Sequence, residues 1–230
     1  MTIVFVTGHR KSGTTVLHKL FDDGPGVNVF PVDLSIFYAY FPCFTNANIS
    51  PSDLRSRLEH VLRRSMSPLE GEYVPGAKQP FEFSTFIDIF NAQICDQHLT
   101  NRGDILSAAL EAFGRSCRVP DRNTWVVKET SQAIFFESFL YTTDNIKMIN
   151  ILRDPRDNYA ALSSGVHHYY SVIGEDHFRT LASLINRARM DFLASQVYED
   201  AYPQQVLSVY FEDLAVAPNP TMRQICNLCE

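Results

Sequence analysis

Short apolar runs recur along this chain and alternate with amphipathic segments. The first run, at residues 3–6, ends just before Gly8, and the second ends at Pro31. Runs of this kind occupy residues 3–6, 27–30, 125–130, 147–152 and 206–213. Such runs, bounded by turn residues, are typical of strands that are buried on both faces of a sheet. The pattern therefore predicts an α/β fold with a central parallel sheet flanked by helices.

The middle of the chain has a helical pattern instead. The apolar spacing predicts three helices, joined by turns that contain proline and glycine, over residues 53–64, 83–100 and 104–115. A chain of 230 residues lies within the range of one α/β domain. We therefore expect residues 1–230 to form a single three-layer domain with a helical insertion at about 50–118.

The segment after the first strand predicts a binding loop for an anion. The glycine that ends the strand is followed by Lys11, Ser12, Gly13, Thr14 and Thr15, where an amphipathic helix begins. The free N–H groups and the positive dipole end of a first helical turn attract phosphate or sulfate. The lysine adds a positive charge, and the hydroxyls add hydrogen-bond donors.

One interpretation of this loop is a P-loop nucleotide or small-molecule kinase. The P-loop motif places a lysine directly after its second glycine, where the lysine reaches the β- and γ-phosphates. Gly8 and Gly13 have the required separation, but Thr14 occupies the lysine position. The lysine of this loop, Lys11, precedes the second glycine, so the loop is of the same type with its charge placed elsewhere. The kinase stays an alternative.

A second anion site is predicted about 140 residues downstream. The apolar run at 147–152 leads directly into Arg153, Asp154 and Pro155, and a helix is expected to follow over 158–164. Proline suits the first position of a helix, and aspartate suits its cap. Arg153 would then stand at the carboxyl end of a strand, where open α/β sheets bind their ligands. Its guanidinium can bind two oxygens of a phosphate at once.

Together these two segments resemble the sulfotransferases that use 3′-phosphoadenosine 5′-phosphosulfate (PAPS) and release 3′-phosphoadenosine 5′-phosphate (PAP). The resemblance implies a P-loop-like fold and transfer of a sulfuryl group, in line and without a metal, to a hydroxyl or amine. The implied acceptor is a small molecule or a carbohydrate. The resemblance also implies that the 5′-phosphosulfate is bound by Arg10, Lys11, Ser12, Gly13, Thr14 and Thr15. The implied 3′-phosphate ligands are Arg153, Ser163 and Ser164.

Catalytic roles follow from the same resemblance. Lys11 would neutralise the bridging oxygen of the donor, and Lys128, at the end of the third strand-like run, matches a lysine that touches the sulfuryl group. The cytosolic members have a histidine base two residues after that lysine, where this chain has Thr130. The candidates for the general base are therefore Glu129, then Glu82, then His9.

The chain departs from the family pattern in three other respects. Val16 replaces a tryptophan that stacks on the adenine, so the base must be held otherwise. Ala161 replaces the usual serine of the 3′-phosphate motif, and the serines at 163 and 164 are the nearest substitutes. The sequence ends in a predicted helix that begins at Pro220, where the family has a basic, glycine-rich lid loop. Either the sequence is a fragment that stops before that loop, or the loop has been lost. A non-catalytic protein that binds PAPS or PAP is a further alternative.

Composition adds little to this picture. The net charge of −6 argues against broad nucleic-acid binding. Five cysteines, an odd number, fit a reducing compartment, and Cys226 and Cys229 lack the further ligands of a zinc site. No apolar run approaches the length of a membrane span, and the first residues resemble a strand more than a signal peptide. We therefore expect a cytoplasmic protein that binds neither metal nor membrane, and leave its oligomeric state open.

Overall fold

Five parallel strands form the centre of the computed structural model, which describes residues 1–22, 24–40, 49–96, 98–140, 145–164 and 177–229. In chain order the strands are β1 (Thr2–Gly8), β2 (Val27–Asp33), β3 (Thr124–Thr130), β4 (Ile146–Leu152) and β5 (Val206–Tyr210). Their spatial order is β2-β3-β1-β4-β5, so the first strand lies in the middle of the sheet. All four neighbouring pairs are parallel, and the predicted α/β class is confirmed.

Helices cover both faces of this sheet. The first six are α1 (Thr14–Lys19), α2 (Phe37–Tyr40), α3 (Pro51–Met66), α4 (Phe83–Gln93), α5 (Arg102–Cys117) and α6 (Glu137–Leu140). The other helices among the described residues are α7 (Pro155–Ser164), α8 (His177–Ala201), α9 (Phe211–Val216) and α10 (Pro218–Cys229). Short 3₁₀ turns occupy Ser67–Leu69, His98–Thr100 and Ala133–Phe135.

Alternation along the strands creates two separate apolar layers. On one face, Val4 and Val6 of β1 pack with Leu17 of α1 and Ile225 of α10. On the other face, Phe5 of β1 belongs to a larger core that also contains residues of α3, α4, α5 and α8. Successive strand residues point to opposite faces, so neighbours in the sequence belong to different layers. This separation decides which side chains can meet at the end of the sheet.

Three predicted boundaries were wrong. The run at 206–213 is a strand only over Val206–Tyr210, and a helix begins at Phe211. The second strand continues through Pro31 to Asp33, although we expected it to end at the proline. Proline is tolerated there because β2 is an edge strand, and its register with β3 shifts between Val29 and Asp33. The helix predicted over 83–100 ends at Gln93, and a separate 3₁₀ turn follows at His98–Thr100.

Candidate active site

The loop between β1 and α1 is held in a conformation that needs glycine at two positions. Gly8 has a φ of 147°, and a Cβ atom there would lie 2.3 Å from the Ile151 carbonyl oxygen. Gly13, at the start of α1, has a φ of 104°, and its Cβ would lie 2.3 Å from the Phe211 ring. L-residues rarely adopt such angles, and neither position has room for a side chain. The two glycines therefore let the loop approach β4 and α9 closely.

This loop forms one wall of a cavity of about 490 Å³ at the carboxyl edge of the sheet. The cavity is lined by Arg10, Lys11, Gly13, Thr14, Thr15, Val16, Asp33, Lys128, Thr130, Arg153 and Phe211. The strand ends of β2, β3 and β4 and the start of α9 all contribute to it. Its volume lies within the usual range for a small-ligand site. The structure therefore brings both sequence-predicted anion segments to one place.

Lys128 lies in this cavity between two partners. Its Nζ is 3.0 Å from Oδ1 of Asp33 and donates a hydrogen bond of 3.3 Å to the Thr15 hydroxyl. The lysine side chain is largely buried, with 17% of its surface exposed, whereas that of the aspartate is 38% exposed. Asp33 is the one acidic residue among the described residues that line the cavity.

Sequence reasoning missed Asp33 because it ended the second strand too early. A carboxylate that follows a strand-like run by a few residues is a usable signal. Pro31 hides that signal here, because proline normally ends a strand.

Arg153 reaches the loop from the end of β4. Its Nη1 donates a hydrogen bond of 2.9 Å to the Lys11 carbonyl oxygen, and its Cζ lies 4.7 Å from the centre of the Phe211 ring. Its Nε is buried and has no hydrogen-bond partner in the part of the chain that the structure describes. Because a buried donor without a partner is costly, this group is suited to an anion. Phe211 was not predicted from the sequence, although it precedes a Glu-Asp-Leu stretch at a strand end.

Other residues predicted to bind the donor are placed differently. Thr14 lines the cavity although it is 4% exposed, whereas Ser12 is fully buried and is not among the lining residues. Ser163 also does not line the cavity, and its buried hydroxyl has no partner among the described residues. Ser164 ends α7, and its side chain lies outside the described residues.

Glu129, the first candidate for a general base, points away from Lys128. The carboxylate is on the opposite face of β3, where it is 2% exposed and interacts with the backbone N–H groups of Ser35 and Ile36. Burial raises the pKa of Glu129 well above its ordinary value, and the nearby charge of Asp33 raises it further. Glu129 does not line the cavity.

The other two base candidates also lie outside the cavity lining. His9 is 4% exposed, and its ring Nδ1 is 2.9 Å from the Arg10 carbonyl oxygen, to which it can donate a hydrogen bond. Burial lowers the pKa of His9, and the charge of Arg187 lowers it further. Glu82 is exposed at the start of α4, where its carboxylate accepts a hydrogen bond of 3.3 Å from Thr85. The geometry thus gives no support to a catalytic role for either residue.

No group of three or more His, Cys, Asp or Glu side chains among the described residues could hold a metal ion. Within the same residues, no helix is long and apolar enough to cross a membrane.

Comparison with known proteins identifies the family. The sequence profile of the sulfotransferase family matches residues 4–230, and the chain therefore belongs to that family. No protein with a curated description is similar enough in sequence to count as a relative.

Solved structures of sulfotransferases share the fold. A sulfotransferase from Alicyclobacillus acidocaldarius superposes with a TM-score of 0.55 at 14% identity, over 98% of this chain and 79% of that one. The sulfotransferase domain from the curacin biosynthetic pathway superposes with a TM-score of 0.52 at 17% identity, over 99% of this chain and 73% of that one. Sulfotransferase STF9 from Mycobacterium avium superposes with a TM-score of 0.56 at 14% identity, over 99% of this chain and 62% of that one. At these identities the likeness concerns the fold alone.

Proposed function

We propose that this sulfotransferase transfers a sulfuryl group from PAPS to a hydroxyl or amino group of a small-molecule or carbohydrate acceptor. The observation that carries the proposal is the cavity, in which Lys11, Lys128 and Arg153 come together from three different strand ends. With Arg10, four cationic side chains line this space together with the amino end of α1, and such a space suits a ligand with several anionic groups. PAPS is such a ligand, and membership of the family supports the choice.

The two ends of the donor would meet different residues. We assign the 5′ end to Lys11, Thr14 and Thr15, whose backbone and hydroxyl groups surround the start of α1. We assign the 3′-phosphate to Arg153, because its buried Nε lacks a partner in the described structure and its Nη1 is already fixed on the loop. ATP has no 3′-phosphate, so this assignment distinguishes the proposal from the kinase alternative.

An aromatic ring in the cavity would hold the adenine. Phe211 and Val16 both line the cavity, and the Arg153 guanidinium lies against the Phe211 ring, so an apolar surface lies next to the proposed 3′-phosphate site. A purine packs well against such a ring because both present large flat faces. Phe211 would thus take the place of the tryptophan that is absent at position 16.

Different residues would carry out different parts of the transfer. PAPS supplies the sulfuryl group, and the protein needs mainly to align the reactants and stabilise the developing charge. Lys11 would stabilise charge on the leaving phosphate oxygen, and Lys128 would stabilise charge on the sulfuryl oxygens. Asp33 would accept the proton of the attacking hydroxyl or amine, because its carboxylate lies 3.0 Å from the Lys128 amine and lines the cavity.

A thermal-shift series tests this proposal. Wild-type protein is measured with PAP, with 5′-AMP and with ATP plus Mg²⁺, alongside Arg153→Ala and the control Arg156→Ala. Arg156 is a suitable control because it is 90% exposed and its guanidinium pairs with Asp154. We expect PAP at 100 times its dissociation constant to stabilise the wild type by about 2.7 kcal/mol.

The variants separate the two ends of the nucleotide. Arg153→Ala should reduce the effect of PAP to that of 5′-AMP, whereas Arg156→Ala should leave it unchanged. Stabilisation by ATP and Mg²⁺ with none by PAP would overturn the proposal in favour of a kinase. Stabilisation by PAP without any consumption of PAPS would indicate the non-catalytic alternative.

A further inference from the structure

The loop between β1 and α1 contains a tight turn from His9 to Ser12. The Ser12 N–H donates a hydrogen bond of 2.9 Å to the His9 carbonyl oxygen, which closes the turn. Lys11, the third residue of the turn, has a φ of 67°, whereas the φ of Arg10 is negative. That combination is typical of a type II turn, whose third position favours glycine. A lysine in this position has an unfavourable backbone conformation, which the surrounding structure has to hold in place.

Side chains hold three peptide groups of this turn. The His9 ring nitrogen Nδ1 lies 2.9 Å from the Arg10 carbonyl oxygen, and the Lys11 carbonyl oxygen accepts a hydrogen bond of 2.9 Å from the Arg153 guanidinium. The Arg10 N–H donates a hydrogen bond of 3.3 Å to the Ser131 hydroxyl. The peptide between Arg10 and Lys11 is thus held by His9, and the peptides before and after it are held by the other two side chains.

The tautomer of His9 follows from this contact. A carbonyl oxygen can only accept a hydrogen bond, so Nδ1 carries a proton. The His9 side chain is 4% exposed, and its Nε2 has no hydrogen-bond partner in the described part of the chain. Burial lowers the pKa of His9, so the ring is neutral at pH 7 and its one proton is on Nδ1. The donor that holds the Arg10 carbonyl group is therefore present at neutral pH.

The direction of the Arg10–Lys11 peptide determines what the turn offers to a ligand. The C=O and N–H of a trans peptide point in opposite directions. The carbonyl group is directed at the His9 ring, which does not line the cavity, so the Lys11 N–H is directed away from that ring. This N–H has no hydrogen-bond partner among the residues that the structure describes, and Lys11 lines the cavity. A free backbone donor is thus available at a residue that we assign to the 5′ end of PAPS.

We propose that His9 is a positioning residue, which fixes the Arg10–Lys11 peptide so that the Lys11 N–H donates to the 5′-phosphosulfate of the donor. Inverting that peptide would give Lys11 an ordinary negative φ, as in a type I turn. The inversion would also put the Arg10 carbonyl oxygen, in place of the N–H, against the anion. His9 opposes the inversion without touching the donor. This inference rests on the proposed function, because it takes PAPS as the ligand.

Two amide substitutions of His9 keep different features of the ring. In asparagine the amide nitrogen is bonded to Cγ, as Nδ1 is in histidine, so it can replace the donor. Glutamine is closer to histidine in volume, but its amide nitrogen lies one bond further from the backbone. A positioning role therefore favours His9→Asn, whereas a role in packing alone favours His9→Gln, because buried sites tolerate substitutions of similar volume best.

Isothermal titration with PAP compares the dissociation constants of the wild type and the two variants. We expect His9→Asn to bind PAP about as tightly as the wild type. His9→Gln should bind PAP at least about tenfold more weakly, because a hydrogen bond to a charged group typically contributes that factor or more. His18→Gln is the matched control, since His18 is also buried, with 5% of its surface exposed, and does not line the cavity. This control should bind PAP like the wild type.

Nuclear magnetic resonance of nitrogen-15-labelled protein follows the Lys11 amide directly. Its proton resonance should move downfield on addition of PAP in the wild type and in His9→Asn, because the N–H then donates to a phosphate oxygen. In His9→Gln the resonance should not move in this way. Circular dichroism checks that the variants are folded, and the titration of the wild type does not depend on any variant.

The results separate this inference from the proposed function. A wild type that does not bind PAP would overturn the proposed function. If the wild type binds PAP and His9→Gln binds it at least as tightly as His9→Asn, that function stands and the positioning role of His9 is overturned. A Lys11 amide resonance that PAP leaves unmoved in a wild type that binds PAP would overturn the role as well.

Discussion

At the scale of single residues, the alternation of β3 determines which groups can take part in transfer. Lys128 and Glu129 are adjacent in the sequence, but the lysine points into the cavity and the glutamate into the core. The carboxylate that reaches the lysine is Asp33, from the neighbouring strand β2. The proposed base therefore comes from a pairing between strands and could not be identified from the residues next to Lys128.

Substitution of the two carboxylates separates these interpretations. We expect Asp33→Asn to slow the conversion of PAPS to PAP by roughly 100-fold or more, because a general base typically contributes that much. Glu129→Gln should leave the rate close to that of the wild type, since the side chain does not line the cavity. Calorimetric titration with PAP controls for donor binding in both variants. Full activity of Asp33→Asn, or loss of activity in Glu129→Gln alone, would contradict the assignment.

At the scale of elements, the contact between α8 and β4 contains a buried carboxyl group. Asp191 on α8 is 3% exposed, and its backbone carbonyl oxygen accepts a hydrogen bond of 3.2 Å from the Asn150 amide on β4. Burial raises the pKa of Asp191 to about 7, although the positive charge of Arg187 opposes that shift. The folded protein thus retains a proton that the unfolded chain releases at about pH 4.

This carboxyl group should make stability depend on pH. Its contribution is fully present below about pH 4 and is lost as the pH rises to about 7, because the unfolded state binds fewer protons than the folded state in that interval. Asp191→Asn should remove this part of the pH dependence. The difference in the free energy of unfolding between wild type and variant should change by at most about 1.4 kcal/mol per pH unit. Urea unfolding at several pH values measures it. Parallel curves for wild type and variant would show that the pKa of Asp191 is not raised.

Elements with a continuous apolar run or a clear amphipathic period could be predicted from the sequence. The central strands are examples, because burial on both faces leaves an unambiguous pattern. The prediction for the edge strand β2 ends too early because proline is normally a strand breaker. The position of β2 at the edge of the sheet explains why the strand continues through the proline. The helix over 83–100 was predicted too long, since apolar spacing alone does not show where a helix ends.

At the scale of the whole molecule, strand order determines what the site contains. The sequence predicted that Lys11 and Arg153 would each stand at a strand end, and β1 and β4 are neighbours in the sheet. Their meeting therefore depends on topology, which local patterns do not specify. The same holds for Phe211, which reaches the loop because α9 begins directly after β5.

We propose above that this cavity binds a 3′-phosphorylated adenine nucleotide, and that it does so without a metal. Isothermal titration of the wild-type protein with PAP, in buffer that contains EDTA, tests it most directly. We expect a saturable heat with one site per chain, and weaker binding of 5′-AMP under the same conditions. Absence of binding by PAP in EDTA, together with binding of ATP when Mg²⁺ is restored, would contradict it.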